Sequence, residues 1–446
     1  MQWIRNYNDV LDNSANPAIR KAREVAMKLL NVGIGAVDPF ELTKAFFKKA
    51  SDLNFNNFSV IRVIGFGKAS FDMARAVEEI IDVEEGVIVV PEGAGRKSGL
   101  RKIRILEGGH PIPDDGSVAA SSAALKIAER SGEKDFVVVL VSGGGSALFA
   151  RPAEGITLKE KQEVTQLLLK SGCTIDEFNS VRKHISDVKG GQLAKACYPA
   201  HVLALIISDV VGDPMETVAS GPTLPDPTTF QDAGYVFDKY GLWERAPESV
   251  CRRIKKGMAG KIEETPKSLD SSLVRNVLIG NNSLALTAME KAARREYNTL
   301  ILTGQLEGEG REAGKVLAGI AKEVLRSSNP VKRPCVLILG GETTVTVVGN
   351  GKGGRNQELV LGAALSLQKR DVVIASLGTD GIDGSTDAAG GIADGFTVER
   401  GNKEGLDVVE YLSKNDSNTF LSAIHDALIT GRTNTNVGDI IVIVVI

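Results

Sequence analysis

The chain has 446 residues, of which 43% are hydrophobic and 24% charged, with a formal net charge of −3. That length allows two or three domains, each large enough to bury a core. The near-neutral charge and the lack of a dense Lys/Arg run exclude a nucleic-acid partner held by bulk electrostatics, and four scattered cysteines without a CxxC pair argue against zinc or a disulfide framework.

The first residues, MQWIRNYNDV, lack the apolar core of a secretory signal. With the cysteine usage, this leads us to expect a cytoplasmic protein. Helical periodicity follows over 17–31 and 40–51. SVIRVIGFG (59–67) reads as a strand running into a glycine turn, and 68–80 as an amphipathic helix. Strands are expected at 86–91 and around 103–106, a helix at 115–131, and a buried strand at 135–142. Helices are expected at 157–170 and 176–197, the latter broken at Gly190–Gly191, before another buried strand at 201–208. Such βα alternation predicts a parallel, doubly wound sheet with its ligand crevice at the carboxyl ends of the strands.

The proline-rich stretch GPTLPDPTTF then changes the composition. A second α/β pattern follows: strand 276–280, helix 281–296, strand 298–303 and helix 309–327. The segment 334–347 reads as strand, turn and strand, followed by helix 354–368 and strand 371–378. We place the domains at 1–240 and 241–446, with the boundary between lobes somewhere in 235–275. The terminal strand 437–446 ends in Ile440–Ile446, a β-branched apolar run too short to cross a bilayer, so no membrane partner is expected. It could belong to either lobe.

Many of the 48 glycines cluster directly after strands, where backbone can approach a ligand. Gly65-x-Gly67-x-x-Ser70 is close to the dinucleotide fingerprint, but Ser70 stands at the third glycine. Lys68 occupies the turn itself. It opposes the helix dipole there, yet it is well placed to meet a phosphate held by the same helix start. Ser142, Gly143, Gly144, Gly145 and Ser146 form a loop able to present backbone amides to an anion. Asp209 and Asp213 follow one strand, and Asp380 follows another. Such oxygen-rich loops suit Mg²⁺ bound together with phosphate. Cations gather at Arg182, Lys183, His184 and Lys189, and again at Lys352 and Arg355 beside Asn356. His110, before Pro111, could polarise a ligand oxygen or simply shape its loop.

GFGKAS, GHPIPD, LVSGGGSALF, NSVRKHIS with VKGGQLA, ISDVVGD with ASGPT, GGETTVTV with GKGGRNQE, and GTDGIDGSTDAAGG occur in this order along the chain. Together they resemble the glycerate kinases whose C-terminal part is called the MOFRL domain, here about 334–440. The resemblance implies a Rossmann-like N-terminal lobe, a smaller α/β C-terminal lobe and a site in the cleft between them. It implies phosphoryl transfer from ATP to D-glycerate with Mg²⁺, most simply at the 2-hydroxyl. Carried onto matching positions, it makes Lys68 and Arg355 the essential cations.

On this reading Lys68 neutralises the transferred group or holds the acceptor, and Arg355 forks the glycerate carboxylate or the developing charge. Asp209 takes the hydroxyl proton or holds metal. Asp213 and Asp380 are the metal candidates. Residues 142–146, His110, Lys189 and Asn356 bind substrate or phosphate. A homo-oligomer is left open. Two other readings compete. One is an NAD(P)H-dependent hydroxypyruvate reductase, disfavoured by Ser70 and by Arg96 and Lys97 where a ribose-binding acid is expected. The other is a sugar-phosphate-binding regulator without catalysis.

Overall fold

The computed structural model describes residues 2–93 and 99–446. Arg96 and Lys97 lie outside the described residues. The β-branched runs form strands wherever helices cover both faces. In Pro39–Gly280, one of two units, six strands build one sheet. They are β1 (Val60–Phe66), β2 (Glu85–Pro91), β3 (Ile103–Gly108), β4 (Asp135–Val141), β5 (His201–Ile207) and β6 (Val274–Gly280). Their order is β3-β2-β1-β4-β5-β6, and every pairing is parallel. This is the doubly wound order, whose direction reverses between β1 and β4. The loops that follow these two strands therefore leave the sheet side by side.

Ile64, Val87, Val137, Val139 and Ala204 are fully buried in the core beneath them. Beside this core, helices Leu158–Ser171, Ile175–His184, Phe230–Lys239 and Glu248–Met258 pack a separate cluster around Val164, Phe178, Val181 and Phe237. The helix expected at 176–197 ends at His184 and resumes at Gln192. The chain between is drawn away by contacts such as Asp187 N–H to Arg151 O.

The other unit comprises Met1–Asp38 and Asn281–Ile446. Its strands are β7 (Asn298–Leu306), β8 (Cys335–Gly341), β9 (Val372–Gly378), β10 (Gly390–Asp394), β11 (Ala427–Leu428) and β12 (Asp439–Val445), in the order β11-β10-β9-β12-β8-β7. Only β7 and β8 pair in parallel; the rest are antiparallel. The terminal strand is thus central to this second sheet, between β8 and β9.

Three expectations change here. The division falls after Gly280 rather than near 240, and the first 38 residues join the C-terminal unit. Arg23, on helix Pro17–Ala36, accounts for the second point. Its fully buried guanidinium bonds Asp394 at 2.6 Å and Asp426 at 2.8 Å. A buried arginine needs such partners, and removing one typically costs about 3–5 kcal/mol. Finally, 334–347 contains one strand instead of two. After Gly341 the chain is held by side chains, with the Glu309 carboxylate accepting the Thr346 N–H and hydroxyl. Strand β10 escaped the sequence reading because its GGIAD core opens on two glycines, which carry no strand signal.

Candidate phosphate loop and arginine cluster

At the switch point the two glycine loops are laced together. Ser142 N–H donates to Phe66 O (3.2 Å), and Lys68 N–H to Gly143 O (2.9 Å). Ser142 Oγ accepts the Ala69 N–H at 3.0 Å. Only glycine fits at 67: its φ is +114°, and a Cβ would overlap Ser142 Oγ and O. Gly144, at φ +82°, brings the next elements in. A Cβ on it would lie 3.0 Å from His110 Cδ2 and 3.5 Å from Lys68 Cγ. Lys68, His110 and Gly144 therefore meet.

The amides of this loop are not equivalent. Gly145 N–H is spent on Ser142 O at 3.2 Å. Those of Gly143, Gly144 and Ser146 make no hydrogen bond among the described residues, so three of the expected donors remain available. Ser70 Oγ donates to Gly67 O (2.8 Å) and closes the preceding turn.

Lys189 departs from its expected role. It is fully buried, with Nζ 3.2 Å from both Phe149 O and Ala219 O. Burial, with Arg182 and Lys161 nearby, holds its pKa well below the ordinary lysine value. It staples the loops from beneath instead of reaching a ligand. Asp209 and Asp213 are partly exposed just beyond β5. The β5–β6 register shifts at Ile206/Ile207, and such a bulge re-aims the strand end that carries them.

In the second unit, helix Arg355–Leu367 opens the other candidate cluster. Asp439 begins β12 opposite both Gly341 and Gly378, so one carboxylate sits where the loops after β8 and β9 begin. It takes Arg355 Nε at 2.6 Å and Nη2 at 3.0 Å, and Asn356 Nδ2 at 3.0 Å. Glu342 holds Arg355 Nη1 at 2.9 Å. The side-by-side edge that would fork a substrate carboxylate is therefore already taken. Arg355 can offer charge, and its pKa is raised despite burial by Asp439 and Glu342.

Asp383 is buried and receives four N–H groups, the backbone and side-chain amides of Asn356 and Gln357. It caps this helix from the loop after β9. Burial pushes its carboxyl up to about 6, against the pull of those donors. Asp380 stays partly exposed, and its Oδ1 accepts the Ile382 N–H at 3.1 Å.

Asp439 was missed from sequence, and Asp383 stood out only as one acid of an oxygen-rich loop, not as the cap of this helix. One signal for Asp439 was available: a lone acid opening the otherwise apolar strand DIIVIVV. Glu92 was overlooked too. It is exposed directly after β2, so the lack of an acid there no longer argues against a dinucleotide.

No group of three or more His, Cys, Asp or Glu among the described residues could hold a metal by itself. Mg²⁺ usually takes one or two carboxylates and completes its shell with phosphate and water. Asp213, a partly exposed carboxylate just beyond β5, suits an ion arriving with a nucleotide. No helix among the described residues is long and apolar enough to cross a membrane.

Comparison with known proteins gives a consistent picture. A family model described as a domain of unknown function, DUF4147, matches residues 25–255, and the MOFRL family model matches 335–439. A glycerate 2-kinase of Pyrococcus horikoshii is 44% identical over 95% of this chain and 97% of its own length. The crystal structure of a glycerate kinase from Thermotoga maritima aligns with TM-score 0.86 at 41% identity, covering 95% of this chain and 99% of the other. A relative from Agrobacterium vitis, provisionally named as a hydroxypyruvate reductase, is 40% identical over 94% of this chain and 93% of its own. With both family models matched in order and the fold shared along nearly its whole length, this chain belongs to the glycerate kinase family that ends in a MOFRL domain.

Proposed function

We propose that the protein transfers the γ-phosphoryl group of ATP to the 2-hydroxyl of D-glycerate, releasing ADP and 2-phosphoglycerate. The observation that carries this reading is the meeting of Lys68, His110 and the open amides of Gly143, Gly144 and Ser146 at the β1–β4 switch point. Phosphoryl transfer asks a protein mainly for alignment and charge neutralisation, and this cluster supplies both.

The substrate hydroxyl oxygen forms a bond to the γ-phosphorus while the bond from that phosphorus to the β–γ bridging oxygen breaks. The hydroxyl proton passes to the Asp209 carboxylate, and ADP carries away the bridging oxygen. Lys68 meets the charge on the transferred group and the three amides align its oxygens; Arg355, held in place by Asp439, is the second cation we assign as essential. Asp213 and Asp380 remain the candidates to hold Mg²⁺. The ion would shield phosphate charge when bound.

The reductase reading retains GFGKAS and Glu92 as support, so the test must separate the two. Phosphorus NMR of D-glycerate and ATP incubated with the protein should show 2-phosphoglycerate and ADP. Oxidation of NADH with hydroxypyruvate and no ADP from glycerate would overturn the assignment. Tight sugar-phosphate binding without any turnover would instead favour a regulator.

A further inference from the structure

The cations of NSVRKHIS are not all accounted for by these roles. Arg182 lies in the last turn of helix Ile175–His184, whose start is fixed by the Thr174/Glu177 capping box. Its guanidinium lies over the Phe178 ring, 4.5 Å from the centroid. Nη1 donates to Ser220 Oγ at 3.4 Å. That hydroxyl donates in turn to Asn179 Oδ1 at 3.1 Å and stands 3.3 Å from Ser146 Oγ in the phosphate loop. Arg182 is therefore joined to the candidate site through two hydroxyls.

Its charge is otherwise unanswered. No carboxylate lies within 4.0 Å of it, and Nε and Nη2 make no hydrogen bond, among the described residues. The nearby charges Lys161 and Lys189 are cations that feel its field. Burial alone pushes Arg182 down to about 10. Ala219 and Ser220 carry φ values of +52° and +62°, a conformation costly for residues with a Cβ, and this strained turn delivers the hydroxyl that Arg182 holds. Arg182 and Ser146 both keep partial exposure, so a ligand can reach them. A withdrawn cation without an acid is expensive in the empty site and is relieved when an anion arrives.

We propose that Arg182 anchors the carboxylate of the acceptor acid, its Nε–Nη2 edge taking the two oxygens side by side and the Ser146 hydroxyl closing one end. The inference rests on the reading of D-glycerate as acceptor. A flat guanidinium edge matches a flat, two-oxygen anion, whereas the phosphoryl group is served by Lys68 and the loop amides. Arg355, whose equivalent edge is filled by Asp439, cannot do this without releasing its partner.

The test uses the full chain with Arg182→Met and Arg182→Lys. KM values for D-glycerate and ATP are measured by ADP release. Kd for D-glycerate alone is measured by calorimetry, and glyceramide serves as the uncharged analogue. Arg182→Met should raise KM and Kd for D-glycerate about 100-fold and leave KM for ATP within about twofold. The preference for D-glycerate over glyceramide should shrink by a similar factor. Arg182→Lys, which keeps charge without the fork, should fall between, and it carries the test if the Met variant does not fold. A rise in KM for ATP with glycerate unaffected would assign Arg182 to a phosphate and overturn the proposal, as would lower kcat with the glyceramide preference intact. Wild-type protein that binds D-glycerate yet forms no ADP would refute the kinase reading while the calorimetric comparison still judged Arg182. Wild-type protein that binds no D-glycerate would refute both.

Discussion

Two loop regions, one in each unit, handle buried charge in opposite ways, although Lys183, next to Arg182 in the chain, is met by the buried Asp226 carboxylate. Around the loop after β4, Lys161, Arg182 and Lys189 are withdrawn from water with carbonyls, hydroxyls and an aromatic ring for company. Around the loop after β9, Asp383 and Asp439 are buried, and each is met by several N–H donors. The first arrangement is incomplete until an anion binds, because carbonyls cannot cancel a cation's charge. The second is complete as it stands and serves to fix geometry. The same side chain thus has two uses: Arg355 is oriented by acids, and Arg182 is left for a ligand.

The largest expected effect lies in the first region. Lys68→Ala should lower kcat/KM about 1,000-fold or more in coupled ADP-release assays, since a cation on the transferred group acts mainly in the transition state and each 1.4 kcal/mol is tenfold. Circular dichroism should show an unchanged fold. A variant within tenfold of wild type would place the charge for transfer elsewhere.

Next comes Gly67→Ala. A Cβ there meets Ser142 backbone as well as its hydroxyl, and φ is +114°. Backbone on both sides has little room to yield, so we expect a loss of about 2–4 kcal/mol in urea unfolding and activity falling with it. Full stability would show that the lacing of the two loops is looser than its hydrogen bonds suggest.

Both of these positions stood out in the sequence, because they fall in a glycine turn directly after an apolar strand. The parallel sheet was legible for the same reason: its strands are continuous apolar runs between helical periods. What the sequence hid was long-range pairing. Ser220 meets Asn179 and Ser146, and Asp439 meets Arg355 from the far end of the chain, and no local pattern marks such partners. The boundary was misplaced for a related reason. Arg23 looks like one more exposed helical cation until Asp394 and Asp426 are brought to it.

Asp439→Asn tests the second region. It keeps the shape but removes the charge that orients Arg355, and an amide can accept from only one of the two N–H groups well. We expect kcat to fall about 10–100-fold. Stability should fall less than for a fully buried pair, since the Arg355 side chain is 32% exposed. Unchanged kcat would mean that Arg355 needs no acid to hold it, and the contrast with Arg182 would lose its basis.

The last effect falls on stability alone and is the most direct measure of the unanswered positive charge. Lys161 is 3% exposed, and its Nζ reaches Ile185 O at 3.2 Å. Burial first and then Arg182 push its pKa down to about 7; Asp187 opposes them, and Arg253 adds a smaller push. In the unfolded chain it should titrate near 10.4. Between about pH 7 and 10 the unfolded chain therefore binds a proton that the folded chain does not, so this group makes stability rise with pH across that window. Below pH 7 both states are charged, and the penalty is full and constant. Lys161→Met should accordingly stabilise the protein by on the order of 2–4 kcal/mol at pH 6 and approach wild type near pH 10. Ile185 O keeps the Ala153 N–H in the variant, so no buried acceptor is stranded. Chemical denaturation at pH 6, 8 and 10 reads the difference. A gain that does not shrink with rising pH would come from packing and would mean that folding leaves the Lys161 pKa unchanged, leaving Arg182 as the buried cation that awaits an anion.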